Sequence, residues 1–355
     1  MALPCMSPVP PPPGEPNLQL FIPVTQPPPV LPPPPPLPRY ALPRYASDFP
    51  LSQPATQFWL ATLARASYGA TSTFFNQAAR AVVPGDYPVT FVPNGIGLTP
   101  GYGVVKLPQG AVVVVSGTTN LGQWQEQLFA NGLTQVGDMG WEFVKGGTMP
   151  VYRAAAVAIL AALAPLVPAD QQILFVGHSM GGAVAELLHA LTTSLNSPRA
   201  ASRCLTFGAP KPGDSRLVGL MRTNSQVFRR LILAGDFIPA LPPDLGLLNV
   251  AVPAPFSAVS SNWSRFRQPS VAYYLSSLGV VEAGVEPFLP LLMIGAMVAA
   301  AASLPIVPSS NHIMRTYCAF LAAAGGGALP EDHTQGWADP NSLFSLNSQM
   351  SDAGL

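Results

Sequence analysis

A single serine stands between a predicted strand and a predicted helix, in the pattern G-x-S-x-G at residues 177–181. Gly177 and Gly181 flank Ser179 at the two positions where side chains would collide in such a tight turn. The turn exposes the hydroxyl beside the free amides of a helix N-terminus, which stabilise a developing oxyanion. We therefore predict that Ser179 is a nucleophile for acyl transfer. The competing interpretation is a glycine-rich turn with an incidental serine.

A serine nucleophile needs a base and an orienting acid, which in a strand–serine–helix arrangement follow in the order acid, then histidine. His312 directly precedes a helical pattern, whereas His333 lies in a polar tail, so His312 is the preferred base. Asp236 follows an apolar, strand-like run, where a carboxylate can orient an imidazole across the sheet edge. Asp214 and Asp244 are the competing candidates for the acid.

The oxyanion of an acyl-transfer intermediate needs at least two hydrogen-bond donors. One should be the backbone amide of Met180, the residue after the nucleophile. The other should come from Thr118, which follows an apolar run and Gly117 and offers both an amide and a hydroxyl. Thr118 and Met180 are therefore the predicted oxyanion hole.

Apolar, strand-like runs alternate with helical patterns from about residue 58 onwards. The continuous apolar runs at 110–115 and 171–177 predict buried strands, and the patterns over 151–166 and 179–195 predict helices. This alternation predicts an α/β fold with a central, mostly parallel sheet flanked by helices.

These motifs together resemble the class 3 lipase family, the fungal-lipase-like branch of the α/β-hydrolases. The matching residues are Gly117-Thr118, Trp124, the G-H-S-x-G-G turn at 177–182, F-G-x-P at 207–210, D-x-x-P-x-L-P-P at 236–243, and His312 with Tyr317. Two departures are Ser116, where the family usually has arginine, and "GWEF" in place of a His-Gly-Phe pattern after the lid. The resemblance implies an α/β-hydrolase fold and carboxylic ester hydrolysis on lipid-like substrates.

The resulting prediction is a triacylglycerol-lipase type of serine hydrolase that acts through a Ser179-Asp236-His312 triad and an acyl-enzyme, without a metal or cofactor. A short-chain esterase or a phospholipase is the alternative among enzymes. The alternative outside the enzymes is a catalytically silent scaffold that recruits partners through its proline-rich segment.

Residues 1–54 contain 20 of the 43 prolines. Proline lacks an amide donor and favours extended polyproline II, so we predict that 1–54 is a disordered arm. The hydrolase domain is then predicted over 55–330, and a polar tail over 331–355. Residues 27–45 also contain short matches to WW and SH3 ligands, which suggest a partner of that type.

The composition excludes some classes of protein. The formal net charge is zero and only 10% of residues are charged, so a nucleic-acid binder with a basic stripe is not expected. Cys5, Cys204 and Cys318 form no disulfide framework. We expect free buried thiols, with a Cys204–Cys318 bridge as the alternative. The N-terminus shows no secretory signal, which favours a cytoplasmic or peripherally membrane-associated protein.

An apolar stretch at residues 288–308 is long enough for a membrane span. One crossing would put Asp236 and His312 on opposite sides of a bilayer, so a single span is incompatible with the predicted triad. Two interpretations remain. The stretch is either a buried cap over the acyl-binding cleft or an interfacial element that dips into lipid.

Overall fold

The computed structural model describes the following residues: 46, 49–69, 72, 75–76, 78–79, 87–93, 100–118, 134–135, 146–193, 202–221, 227–233, 236, 238–242, 265–269, 272–276, 279–283, 314–322 and 324. All of them belong to the unit Pro36–Leu355. The segments predicted at 27–45, 288–308 and 331–355 lie outside the described residues.

Strands and helices alternate through most of the described chain. The strands are β1 (Val89–Val92), β2 (Tyr102–Lys106), β3 (Ala111–Val115), β4 (Thr134–Gln135), β5 (Gly147–Thr148), β6 (Ile173–His178), β7 (Arg203–Phe207), β8 (Gly213–Asp214), β9 (Phe228–Leu233), β10 (Phe266–Arg267), β11 (Ala272–Ser276) and β12 (Gly279–Ala283). The helices are α1 (Pro54–Ala66), α2 (Pro150–Leu163), α3 (Met180–Thr193), α4 (Ser215–Gly219) and α5 (Met314–Leu321).

The main sheet has eight strands in the order β1-β2-β3-β6-β7-β9-β11-β12. The five strands from β3 to β11 run parallel, while β1, β2 and β12 pair antiparallel at the two sides. The predicted α/β-hydrolase type of fold, with a mostly parallel sheet between helices, is confirmed. A second sheet of four two-residue strands, β10-β8-β5-β4, was not predicted.

Helices cover both faces of the main sheet and bury two apolar cores. Residues of α2 and α3 pack with Val113, Phe175 and Cys204 on one face. Residues of α1 and α5 pack on the other face. Their partners there include Leu174 and Leu205, which are next to Phe175 and Cys204 along the strands. Because successive side chains of a strand point to opposite faces, a strand buried on both faces is expected to be apolar, as β3 is throughout and β6 is up to Gly177.

Packed residues begin before the boundary predicted at residue 55. Phe49 stacks on Trp59 of α1 with ring centroids 5.5 Å apart, and Ala46 and Leu51 are also buried. The Arg203 guanidinium donates a hydrogen bond to the carbonyl oxygen of Phe49 at 2.6 Å. The domain therefore includes residues that the proline-rich composition assigned to the arm.

The predicted thiol state is confirmed for two cysteines, because Cys204 and Cys318 are buried and form no disulfide. Within the part of the chain that the structure describes, no helix combines the length and apolarity that a membrane crossing requires.

Candidate active site

Ser179 lies at the corner between β6 and α3. Its φ of 55° is the only positive value at a non-glycine position among the described residues, and its amide donates to the Phe207 carbonyl at 3.0 Å. A Cβ on Gly177 would lie 2.2 Å from the Gly181 carbonyl oxygen, and a Cβ on Gly181 would lie 2.3 Å from the Ser116 carbonyl oxygen. The sequence pattern is thus explained by a strained turn that excludes side chains on both sides of the serine.

The loop after β3 lies against the serine. β3 pairs parallel with β6, so both strands end at the same edge of the sheet. A Cβ on Gly117 would be 2.8 Å from the Cβ of Ser179, which shows how closely this loop approaches the nucleophile. Thr118 follows Gly117 and is half-buried, and Met180 begins α3 and is buried. Of the two predicted oxyanion donors, Met180 therefore directly follows Ser179, and Thr118 lies in the loop that contacts Ser179.

Asp236 is a fully buried carboxylate just beyond the end of β9. Its Oδ2 atom accepts a hydrogen bond from the Tyr317 hydroxyl at 2.7 Å, and its Oδ1 atom accepts one from the Ile238 amide at 3.0 Å. The Tyr317 hydroxyl in turn accepts from the Leu233 amide at 3.1 Å. These donors fix the orientation of the carboxylate at the sheet edge.

Ser179 and Asp236 follow strands that are separated by one other strand, β7. Neighbouring strands lie about 4.8 Å apart, so the axes of β6 and β9 are roughly 10 Å apart. An imidazole with one hydrogen bond on each side can bridge a gap of this size, because each bond spans about 2.8 Å. The separation suits a serine and an acid that act through a histidine.

His312 lies outside the described residues, but the helix that follows it is described. Helix α5 begins at Met314, two residues later, and its Tyr317 binds Asp236. Three residues of helix rise only about 4.5 Å, so the start of α5 lies near Asp236. The described chain therefore resumes close to the acid, two residues after His312 in the sequence.

Asp214, the first competing candidate for the acid, has a structural role. Its Oδ1 atom accepts from the Arg216 and Leu217 amides, both at 3.0 Å, and so caps α4. Its Oδ2 atom accepts from the Gly147 amide at 2.9 Å. Asp244, the second competing acid, and His333, the competing base, lie outside the described residues, as does most of the segment between Trp124 and β5, of which β4 is described.

A pair of tyrosines encloses the histidine that precedes the nucleophile. The Tyr68 hydroxyl and the Nδ1 atom of His178 are 2.5 Å apart, and the His178 ring is also 5.8 Å from the Tyr317 ring. A Cβ on Gly117 would lie 2.0 Å from the Tyr68 hydroxyl, so this hydroxyl also packs against the loop after β3. Sequence analysis missed Tyr68, because nothing in its local pattern indicates a partner 110 residues away.

A second polar group missed by sequence analysis lies beneath the nucleophile. Glu186 on α3 is fully buried, accepts a hydrogen bond from the Thr206 hydroxyl, and faces the Arg230 guanidinium. Burial raises the pKa of Glu186 to about 7, against the opposing effects of Arg230 and Thr206. The available signal was one carboxylate within the otherwise apolar run at 183–191.

His189, on the same helix, is part of the packing. Its Nδ1 atom is 2.8 Å from the Ser202 hydroxyl, its ring stacks on Phe228, and burial lowers its pKa to about 3. Among the described residues, no group of three or more histidine, cysteine or acidic side chains could hold a metal ion.

The chain was compared with protein families, with solved structures and with curated protein sequences. The family model described as lipase (class 3) matches residues 112–246. Among solved structures, the chain is similar to the Rhizomucor miehei lipase propeptide complex, with a TM-score of 0.45, 15% identity and coverage of 72% of this chain and 78% of that chain. It is also similar to the lipase from Rhizopus microsporus var. chinensis, with a TM-score of 0.49, 14% identity and coverage of 72% and 84%. Curated protein sequences gave no match.

The family match extends over the three strand ends that carry Thr118, Ser179 and Asp236. The resemblance drawn from the sequence motifs is therefore confirmed over residues 112–246.

Proposed function

We propose that this chain, which matches the lipase (class 3) family model over residues 112–246, is a carboxylic ester hydrolase that cleaves lipid-like esters of the triacylglycerol type through Ser179, His312 and Asp236. The Ser179 hydroxyl attacks the acyl carbonyl and forms a tetrahedral intermediate. His312 takes the proton of the hydroxyl and later gives it to the departing alcohol. Water then cleaves the acyl-enzyme, with His312 again as the base.

The role of Asp236 follows from its buried, oriented carboxylate. It accepts the second ring N–H of His312, which selects the tautomer and stabilises the imidazolium formed during attack. The hydrogen bonds from Tyr317 and Ile238 support this proposal, because they hold both carboxylate oxygens in one orientation at the sheet edge.

The oxyanion is held by the amides of Met180 and Thr118. The Met180 amide stands at the N-terminus of α3, where intrahelical acceptors are lacking and the helix dipole favours negative charge. Loss of one such donor typically costs on the order of 3 kcal/mol of transition-state stabilisation. The Thr118 hydroxyl gives this residue a second donor.

The observation that carries the proposal is the left-handed backbone of Ser179 at the edge where β9 delivers Asp236. A backbone strained at this one position is retained when the surrounding structure enforces it, and such strain concentrates at functional sites. A glycine-rich turn with an incidental serine would need neither the strain nor an oriented carboxylate nearby.

Two partner predictions belong to this function as proposals. An ester of lipid type is the substrate that the family suggests. Residues 288–308 would cover the acyl chain or contact the lipid surface, and residues 27–45 would bind a polyproline-recognising domain. Neither segment enters the chemistry of the ester bond.

The test is a series of ester substrates of increasing acyl length, each measured below and above its aggregation threshold. The proposal expects hydrolysis to rise with acyl length and with aggregation. A preference for acetate or butyrate would favour a short-chain esterase, and a preference for phospholipids a phospholipase, against the triacylglycerol type.

Labelling with a fluorophosphonate probe tests the nucleophile separately. The wild type should be labelled and Ser179→Ala should not. Equal labelling of both proteins, or none of either, would contradict the assignment of Ser179, and the absence of labelling would favour the silent scaffold.

A further inference from the structure

Glu186 is a buried carboxylate on α3, seven residues and about two helical turns after Ser179. Its Oε1 atom accepts from the Thr206 hydroxyl at 2.9 Å and lies 3.4 Å from Nε of Arg230. The two charged side chains are 0% and 3% exposed. A buried ion pair contributes little net stability, since desolvation offsets its attraction. Its presence in this weakly charged protein points to another role.

The ion pair lies just below the catalytic edge of the sheet. Gly177 of β6 is opposite Thr206 of β7, and Thr206 is opposite Arg230 of β9. Gly177 is two residues before Ser179 in the sequence, and Arg230 is six residues before the acid. The pair therefore joins the helix that begins after the nucleophile to the strand that leads to Asp236.

We propose that Glu186 and Arg230 are positioning residues that hold α3 against β9 and so set the separation of Ser179 and Asp236. This role rests on the proposed function and acts through those two residues rather than on the substrate. Protein interiors transmit displacements because they are closely packed. A shift of about 1 Å at reacting groups can lower a rate on the order of 100-fold, so a modest change at the pair is enough to be measured.

The charge of this pair changes near neutral pH. Burial raises the pKa of Glu186 to about 7, so the carboxylate ionises and pairs with Arg230 as the pH rises through that value. The other groups around it are Thr206 and Cys204 on β7 and Tyr152 on α2. Burial and then the charge of Glu186 raise the pKa values of Cys204 and Tyr152, so both remain protonated. On the acid side, the dependence of kcat on pH should therefore show the ionisation of one group in addition to the catalytic histidine.

The experiment compares two variants for hydrolysis of a p-nitrophenyl ester. Glu186→Gln keeps the shape of the side chain and an acceptor for Thr206 but removes the charge. The double variant Glu186→Gln/Arg230→Met removes both charges. Both should lower kcat about 10- to 100-fold with little change in KM, and both should lose the additional ionisation from the pH profile.

Thr192→Val is the matched control. It removes a buried hydroxyl on the same helix, which lies 2.5 Å from the Ser202 hydroxyl and 2.9 Å from the Leu188 carbonyl oxygen, and leaves the contact with β9 intact. It should lower thermal stability while kcat and the pH profile stay as in the wild type. An equal loss of kcat in Thr192→Val would assign the effect to general destabilisation and contradict the positioning role.

Three further results would each overturn the positioning role. Folded Glu186 variants with wild-type kcat and pH profile would refute that role alone. A neutral replacement of both partners of a buried ion pair commonly preserves the fold. Failure of the double variant to fold would therefore show that the pair serves stability instead. A wild type that hydrolyses no ester would refute the proposed function, and this role with it.

Discussion

Removal of the Tyr317 hydroxyl is the perturbation with the most direct structural consequences. The hydroxyl donates to Oδ2 of Asp236 at 2.7 Å and accepts from the Leu233 amide at 3.1 Å. All three residues are buried. A hydrogen bond to a charged group contributes about 1.5–3 kcal/mol, and a buried amide left without an acceptor costs about 1–3 kcal/mol. Tyr317→Phe should therefore lower the free energy of unfolding by about 2.5–6 kcal/mol.

The same variant should also lower kcat. Asp236 would keep the hydrogen bond from the Ile238 amide but lose the one that holds Oδ2. A carboxylate with more freedom orients the imidazole less well, and we expect kcat to fall on the order of tenfold or more with KM nearly unchanged.

Tyr152→Phe is the matched control, because it makes the same chemical change in an equally buried side chain. Among the described residues no hydrogen-bond partner reaches the Tyr152 hydroxyl. Removal of a buried, unpaired hydroxyl should leave stability unchanged or slightly increased. Urea unfolding and ester hydrolysis measured on both variants test the reasoning. It is refuted if Tyr317→Phe loses no more stability or activity than Tyr152→Phe.

Three further predictions concern the turn, the acid and the pH dependence of stability. Gly177→Ala would place a Cβ 2.2 Å from a backbone oxygen and should abolish fluorophosphonate labelling, while Gly219→Ala, where nothing lies within 4 Å, should keep the wild-type melting temperature and labelling. Asp236→Asn should lower kcat on the order of 10⁴-fold in a folded protein, and a loss below tenfold would contradict its role. Burial lowers the pKa of His189 to about 3, so its contribution to stability is complete above pH 6.5 and falls away towards pH 3. In urea unfolding, the non-titrating variant His189→Gln should lack that part of the pH dependence; an unchanged dependence would show that His189 does not titrate on unfolding.

The main sheet was predictable where burial dictates the sequence. β3 and β6 are covered on both faces, which requires continuous apolar runs that are visible without a structure. The hairpin of β11 and β12 was not assigned from the sequence, and the two-residue strands of the small sheet are too short to show a period.

The residues of the candidate site also divide into those whose positions follow from local sequence and those whose contacts do not. The position of Ser179 was predictable because the turn imposes glycines at fixed local positions, and that of Asp236 because it follows an apolar, strand-like run. The contacts of Tyr68 and Tyr317 join residues 110 and 81 positions apart, and local pattern carries no information about such distances. Likewise, Glu186 stands out in the sequence as a charge on an apolar helix, but its partner on β9 emerges only from the sheet register.

The packing of residues before position 55 was not predicted, for a comparable reason. Proline content is high through residue 54, and composition alone does not distinguish an extended segment that packs from one that does not. Phe49 packs because its ring stacks on Trp59 and its carbonyl oxygen accepts a hydrogen bond from the Arg203 guanidinium. Single side chains can therefore anchor a segment that its composition assigns to an arm.

The most direct test of the central claim is a comparison of kcat/KM for Ser179→Ala, His312→Ala and the double variant on one ester substrate. Residues that act as a unit are not additive, so the account predicts that each single variant falls to the same residual rate as the double variant. A His312→Ala protein that keeps most of its activity, or losses that multiply in the double variant, would contradict a shared serine–histidine–aspartate mechanism.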